Sequence, residues 1–191
     1  MPLSQEAFAR GTQNIGAHFV EFDQSQLENR AYMARGVCRS LSIVWIRNQK
    51  LRSQNQPRPA WEGPNGQMEE VSWLAEQQHA GKTLEMTEAF LRSFGLRPNG
   101  MTFFPQQFDN AKFWFFLKAL PGYYLVGRDD PGLGPGHEVA IRTDGNIKLF
   151  DPNYGEVTFA DVDDLQTFFT QYWPRAYPEL ANGGGSIFRY V

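Results

Sequence analysis

The pattern of apolar residues changes at Pro121-Gly122, and this change constrains the fold more than any other feature of the sequence. Before it, apolar residues recur at the spacing of amphipathic helices over Val37–Lys50, Gln67–His79 and Leu84–Phe94. After it, short apolar runs separated by turn residues are typical of strands. Helices followed by strands predict an α+β fold, in which an N-terminal helical part packs on an antiparallel β-sheet within a single domain.

The remaining elements can be placed by the same criteria. The strongly apolar stretch Phe108–Leu120 is interpreted as a buried helix, and Asp161–Tyr172 carries a helical apolar stripe. The predicted strands are Tyr123–Arg128, His137–Arg142, Ile147–Asp151, Val157–Phe159 and Ser186–Val191. Residues 1–30 are polar and weakly periodic, so we predict a loose lead-in there, with a candidate role in secretion. The folded domain is expected over residues 31–191.

Two of the predicted strands flank a turn at Asp144-Gly145. A two-residue loop would place Glu138 opposite Asp151, whereas a three-residue loop would place His137 opposite Asp151. The longer loop forms two aliphatic cross-strand pairs on one face of the sheet, namely Ile141 with Ile147 and Val139 with Leu149. Since such pairs stabilise a hairpin and register follows the hydrophobic pattern, we predict the three-residue loop. It brings His137 and Asp151 together on one face.

The chain contains a single cysteine, Cys38, at the predicted start of a helix. The free N–H groups and the dipole of a helix N-terminus favour the thiolate form of a cysteine. A histidine oriented by a carboxylate, here His137 with Asp151, can act as the base for such a thiol. The backbone amide of Cys38 could then help to bind the oxyanion formed in acyl transfer. These residues predict a thiol hydrolase with a Cys-His-Asp triad.

Composition and charge exclude several other classes of protein. The net charge of −3 gives no indication of a nucleic-acid partner. One cysteine and three scattered histidines predict no metal site, and the glycines near His137 lack the sequence of a phosphate-binding loop, so we predict no cofactor. No apolar run is long enough for an integral membrane segment. The N-terminus lacks the basic and apolar regions of a Sec-type signal peptide.

Three segments resemble the YopT/AvrPphB family of bacterial papain-like cysteine protease effectors. They occur in the order expected for that family and extend over roughly Gly36 to the C-terminus. The segments are Gly36-Val37-Cys38-x-x-Leu41-Ser42-x-x-Trp45-Ile46, Gly136-His137-x-Val139-Ala140 and Phe150-Asp151-Pro152-Asn153-Tyr154-Gly155.

The resemblance implies a papain-like fold, in which Cys38 is the nucleophile, His137 the general base and then acid, and Asp151 the orienting carboxylate. It implies peptide-bond cleavage in a host protein, after secretion by a non-Sec route into the host cell cytosol, with a secretion chaperone as a further candidate partner. Papain-like enzymes often place an amide side chain shortly before the cysteine as a second oxyanion donor. Here the nearest amide is Asn29.

Two alternatives to a cysteine endopeptidase stay open at this point. The same triad could serve glutamine deamidation or transglutamination, since these reactions also begin with attack on a carboxamide carbonyl. The chain could also be a non-catalytic binding module on a hydrolase fold. The motifs do not separate these possibilities.

Overall fold

The computed structural model describes residues 3–22, 37–54, 68–81, 83–132 and 136–191. The helices in these ranges are α1 (Gln5–Asn14), α2 (Cys38–Ser53), α3 (Met68–His79), α4 (Thr83–Arg92), α5 (Asn110–Ala119) and α6 (Val162–Ala176). The strands are β1 (His18–Glu21), β2 (Pro98–Phe104), β3 (Tyr123–Arg128), β4 (His137–Arg142), β5 (Ile147–Asp151), β6 (Gly155–Phe159) and β7 (Gly185–Tyr190). A short 3-10 helix, Pro178–Leu180, follows α6.

The strands form one antiparallel sheet with the order β1-β6-β5-β4-β3-β7-β2, and helices cover both faces. Side chains of α2, α3 and α4 form one core cluster with one face of the sheet. Side chains of α1, α5 and α6 form a second cluster with the other face. The predicted α+β fold, with helices packed on an antiparallel sheet, is therefore confirmed. Among the described residues, no helix is both long and apolar enough to cross a membrane.

The helix N-termini differ in a way that matters for the site. Helices α5 and α6 are capped by aspartates, since Asp109 accepts from the N–H of Lys112 and Asp161 accepts from the N–H of Asp164, each at 2.9 Å. Helix α2 begins after Val37, whose side chain makes no capping hydrogen bond, and its first turn contains no acidic residue. Its N–H groups therefore keep their partial positive charge for another group.

The described part of the N-terminal segment is folded, so the prediction of a loose lead-in over residues 1–30 is wrong there. Helix α1 buries Phe8, Gly11 and Thr12 on one face, and the ring of Phe8 stacks on Tyr154 at 4.3 Å between centroids. Strand β1 pairs with β6 at the edge of the sheet. The buried stripe of α1 contains only one large apolar residue, which explains why its periodicity is weak in the sequence.

The β4–β5 hairpin has a longer loop than predicted. Ala140 lies opposite Phe150 and Ile141 opposite Leu149, a shift of two residues from the predicted register. Thr143 is held away from the hairpin because its N–H donates to the carbonyl of Gly122 at 2.8 Å. A two-residue shift keeps every side chain on its face and still pairs aliphatic residues, so the hydrophobic pattern could not distinguish the two registers.

Candidate active site

His137 and Asp151 lie at the same end of the hairpin and on the same face of the sheet. Although they are not among the cross-strand pairs of the hairpin, Nε2 of His137 is 2.9 Å from Oδ1 of Asp151. Both side chains are buried. Oδ1 of Asp151 also accepts the backbone N–H of Asn153 at 2.9 Å, in the turn that follows β5. This turn fixes the carboxylate against the imidazole.

Cys38 is the first residue of α2, and its partly exposed thiol lies close enough to His137 to help raise the pKa of the imidazole. Helix α2 packs on the sheet face opposite the one that carries the imidazole, so the thiol meets the ring at the end of the sheet where β4 begins. The N-terminus of α2, which the side chain of Val37 does not cap, supplies partial positive charge beside the thiol.

An ion pair joins the helix of the thiol to the strand of the imidazole. Arg39 follows Cys38, Glu138 follows His137, and the Arg39 guanidinium donates to the Glu138 carboxylate. The two side chains are only 11% and 14% exposed. Burial raises the pKa of Glu138, and the positive charge of Arg39 opposes that effect. The pair therefore fixes the start of α2 against the start of β4.

The charge on His137 depends on its two neighbours in the site. Burial alone would lower the pKa of the imidazole, but Asp151, by charge and hydrogen bond, and Cys38 outweigh it and raise the pKa to about 10. His137 is therefore an imidazolium at neutral pH. An imidazolium held between a thiol and a carboxylate can stabilise a thiolate, which is the reactive form of cysteine.

Two aromatic residues of the site could not be recognised in the sequence. The ring of Tyr177 stacks on His137 at 4.4 Å between centroids, and the ring of Trp173 lies 6.0 Å from it. Trp173 lies on α6, and Tyr177 directly follows that helix. Nothing in the local sequence indicates that the end of α6 approaches the end of β5, since this proximity depends on how the helix packs across the sheet.

The remaining predicted groups are the oxyanion donors. The N–H of Cys38 is at the first position of α2, where a helix offers no acceptor for it. Asn29 lies outside the described residues. In the described ranges, no group of three or more His, Cys, Asp or Glu side chains is placed to hold a metal ion. A thiol, an imidazolium and a carboxylate in this arrangement can carry out nucleophilic acyl transfer.

Comparisons with known proteins agree with this chemistry. Residues 131–191, which include the histidine and the aspartate but not the cysteine, match the Peptidase C58 family model, described as Yersinia/Haemophilus virulence surface antigen. No curated protein matches the sequence. The fold is similar to the crystal structure of the Pseudomonas avirulence protein AvrPphB, with a TM-score of 0.56 and 15% identity over 88% of this chain and 100% of that chain. Together they support a likeness of this chain to the YopT/AvrPphB family of cysteine peptidases.

Proposed function

We propose that this cysteine peptidase, similar to the YopT/AvrPphB family, is an endopeptidase with Cys38 as nucleophile, His137 as general base and acid, and Asp151 as orienting carboxylate. The observation that supports the proposal most is the position of His137. Its Nε2 is 2.9 Å from Oδ1 of Asp151, and the interaction of its ring with the thiol of Cys38 contributes to the raised pKa of the imidazole. One imidazole thus interacts with both the group that would react and the group that would orient it.

The reaction begins with the thiolate of Cys38 and the imidazolium of His137. The sulfur forms a bond to the scissile carbonyl carbon, and the carbonyl π electrons move to the oxygen. When this intermediate collapses, the C–N bond breaks and the leaving amine takes a proton from His137. Neutral His137 then accepts a proton from water, whose oxygen attacks the thioester. Departure of the sulfur as thiolate restores the starting pair.

The oxyanion of both intermediates lies at the N-terminus of α2 in this mechanism. The backbone N–H of Cys38 is one donor, since it has no acceptor within the helix. The positive end of the helix dipole adds to this stabilisation. Asn29 is the candidate for a second donor.

The match to a virulence-antigen family supports a role as an effector that acts on a host protein. We therefore propose secretion by a non-Sec route, aided by a chaperone, and action in the host cell cytosol.

The test compares wild-type protein with Cys38→Ala in an extract of eukaryotic host cells. We expect new protein N-termini, identified by amine labelling and mass spectrometry, only with the wild type. Ser40→Ala is the matched control because it changes a buried residue on the same helix whose hydroxyl has no hydrogen-bond partner among the described residues; it should cleave like the wild type. Release of ammonia without new N-termini would indicate a deamidase instead. Absence of any Cys38-dependent product would favour a binding module.

A further inference from the structure

Tyr177 occupies a buried position directly against the two residues that would orient the nucleophile. Helix α6 ends at Ala176, and Tyr177 caps it, with its N–H bonded to the carbonyl of Trp173 at 2.9 Å. The tyrosine ring lies at 25° to the imidazole of His137, with the centroids 4.4 Å apart. It is therefore stacked on the ring of the general base.

The hydroxyl of Tyr177 lies at the centre of a hydrogen-bonded cluster. It is 2.9 Å from Nε2 of His137, 2.9 Å from Oδ1 of Asp151 and 3.0 Å from Oδ2. Its oxygen accepts from Nδ2 of Asn153 at 3.0 Å. A phenol has one proton to donate, and the carboxylate, which can only accept, is the partner that can take it.

Tyr177 keeps its proton over the whole functional pH range. Burial and the negative charge of Asp151 raise the pKa of Tyr177 well above its ordinary value. The hydroxyl is therefore a permanent donor to the carboxylate. The Tyr177 hydroxyl and the backbone N–H of Asn153 both donate to the Asp151 carboxylate. Together they orient it so that Oδ1 also faces the Nε2–H of His137.

We propose that Tyr177 is a positioning residue of the active site, whose hydroxyl fixes the carboxylate of Asp151 and whose ring fixes the plane of His137. This inference rests on the proposed triad, because the effect of Tyr177 is measured through the reactivity of the Cys38 thiol. With the imidazole plane fixed, the ring keeps its position beside Cys38, and the reactivity of the thiol depends on that position. Loss of the hydroxyl allows the Asp151 carboxylate to rotate, and this rotation weakens its hydrogen bond to Nε2 of His137.

The charged and titratable groups around His137 belong to several elements. They are Cys38 on α2, Asp151 on β5, Tyr177 after α6, Arg128 opposite His137 on β3, and Glu138 on its own strand. Glu138 is already paired with Arg39, and Arg128 donates to backbone carbonyls near the 3-10 helix. Asp151 is therefore the acceptor through which Tyr177 can influence the imidazolium.

The test is the rate of alkylation of Cys38 by iodoacetamide as a function of pH, in wild type and Tyr177→Phe. The phenylalanine ring keeps the stacking and removes the hydroxyl. We expect the acid limb of the profile to move up by about one pH unit, so that the rate at pH 6 falls about tenfold, with little change at pH 10. Tyr124→Phe is the matched control: it removes a buried hydroxyl that hydrogen-bonds to backbone carbonyls near the other end of β3, and its profile should not move.

A second variant separates positioning from stability. Asn153→Ala leaves the tyrosine in place but removes the donor to its oxygen, and should move the limb in the same direction by a smaller amount. Unchanged profiles in both variants, or a limb that moves to lower pH, would overturn the role of Tyr177 and leave the triad standing. A wild-type thiol that reacts at pH 6 no faster than a free cysteine would instead refute the triad, and the positioning role with it.

Discussion

Asp151 is the residue on which both the charge and the orientation of His137 depend. Its carboxylate supplies the largest contribution that raises the pKa of the imidazole, and it accepts the hydrogen bond on Nε2. A neutral side chain of the same shape would keep much of the packing but not the charge. The two contributions can therefore be separated by substitution.

Asp151→Asn should lower the pKa of His137 from about 10 towards its ordinary value of 6.5, because burial is then opposed by Cys38 without the charge of Asp151. NMR titration of the His137 ring measures the pKa directly. Asp163→Asn, at a carboxylate that is 78% exposed, is the control. A His137 pKa that stayed near its wild-type value would contradict the assignment of Asp151.

The sequence led to Cys38, His137 and Asp151 as the candidate triad because a lone cysteine and one hairpin left few choices, and the structure places His137 2.9 Å from Asp151. The sequence was not sufficient for the register, since shifts of two residues preserve the faces of a strand. His137 and Asp151 meet in the observed register as well, because both side chains project from one face. Tyr177 could not be predicted as a residue of the site, because only the packing of α6 across the sheet brings it to Asp151.

At the scale of elements, the strongly patterned segments were predictable and the edges of the sheet were not. The predicted helix Val37–Lys50 corresponds to α2, and the helix predicted over Asp161–Tyr172 to α6. Strand β2 was missed because it opens with Pro98, Asn99 and Gly100, which are typical of turns. An edge strand tolerates such residues, and this one has an irregular register between Pro98 and Met101.

The Arg39–Glu138 ion pair is the element-level link that positions α2 on β4. Because both side chains are largely buried, removal of one partner leaves an unpaired charge. We expect Arg39→Met and Glu138→Gln each to lower the free energy of unfolding by about 3 kcal/mol, and the double variant to lose less than the sum. Urea denaturation measures these values.

The exposed pair Glu6–Arg10 provides the control for this double-mutant cycle. Its side chains are 78% and 62% exposed, and Glu6→Gln should change stability by less than about 0.5 kcal/mol. Additive losses for Arg39 and Glu138 would mean that the two side chains do not depend on each other. The alkylation rate of Cys38 should fall in both single variants, because the thiol loses its fixed approach to His137.

At the scale of the whole molecule, the sheet brings together site residues that are carried by helices on its two opposite faces. Helix α2 carries the thiol on one face, while α6 carries Tyr177 to the other, and the strands between them end in His137 and Asp151. Helix α1 stabilises the turn after β5, since Nε2 of Gln5 donates to the carbonyl of Asn153 at 2.6 Å. The N-terminal segment thus supports the turn that follows Asp151.

Protonation of His137 should couple this site to the stability of the entire fold. In the folded protein the pKa of His137 is about 10, and in the unfolded chain it is near 6.5. Between these values the folded state holds a proton that the unfolded state has lost. The stabilisation is therefore fully present below about pH 6.5 and disappears as the pH rises towards 10.

The measurement compares Cys38→Ala with Cys38→Ala/His137→Gln, so that the thiol is absent from both proteins. We expect the difference in unfolding free energy to be larger at pH 6 than at pH 10 by more than about 1.4 kcal/mol, the equivalent of one pKa unit. A difference for His137 that does not vary with pH would show that Asp151 does not hold the imidazolium in the folded state.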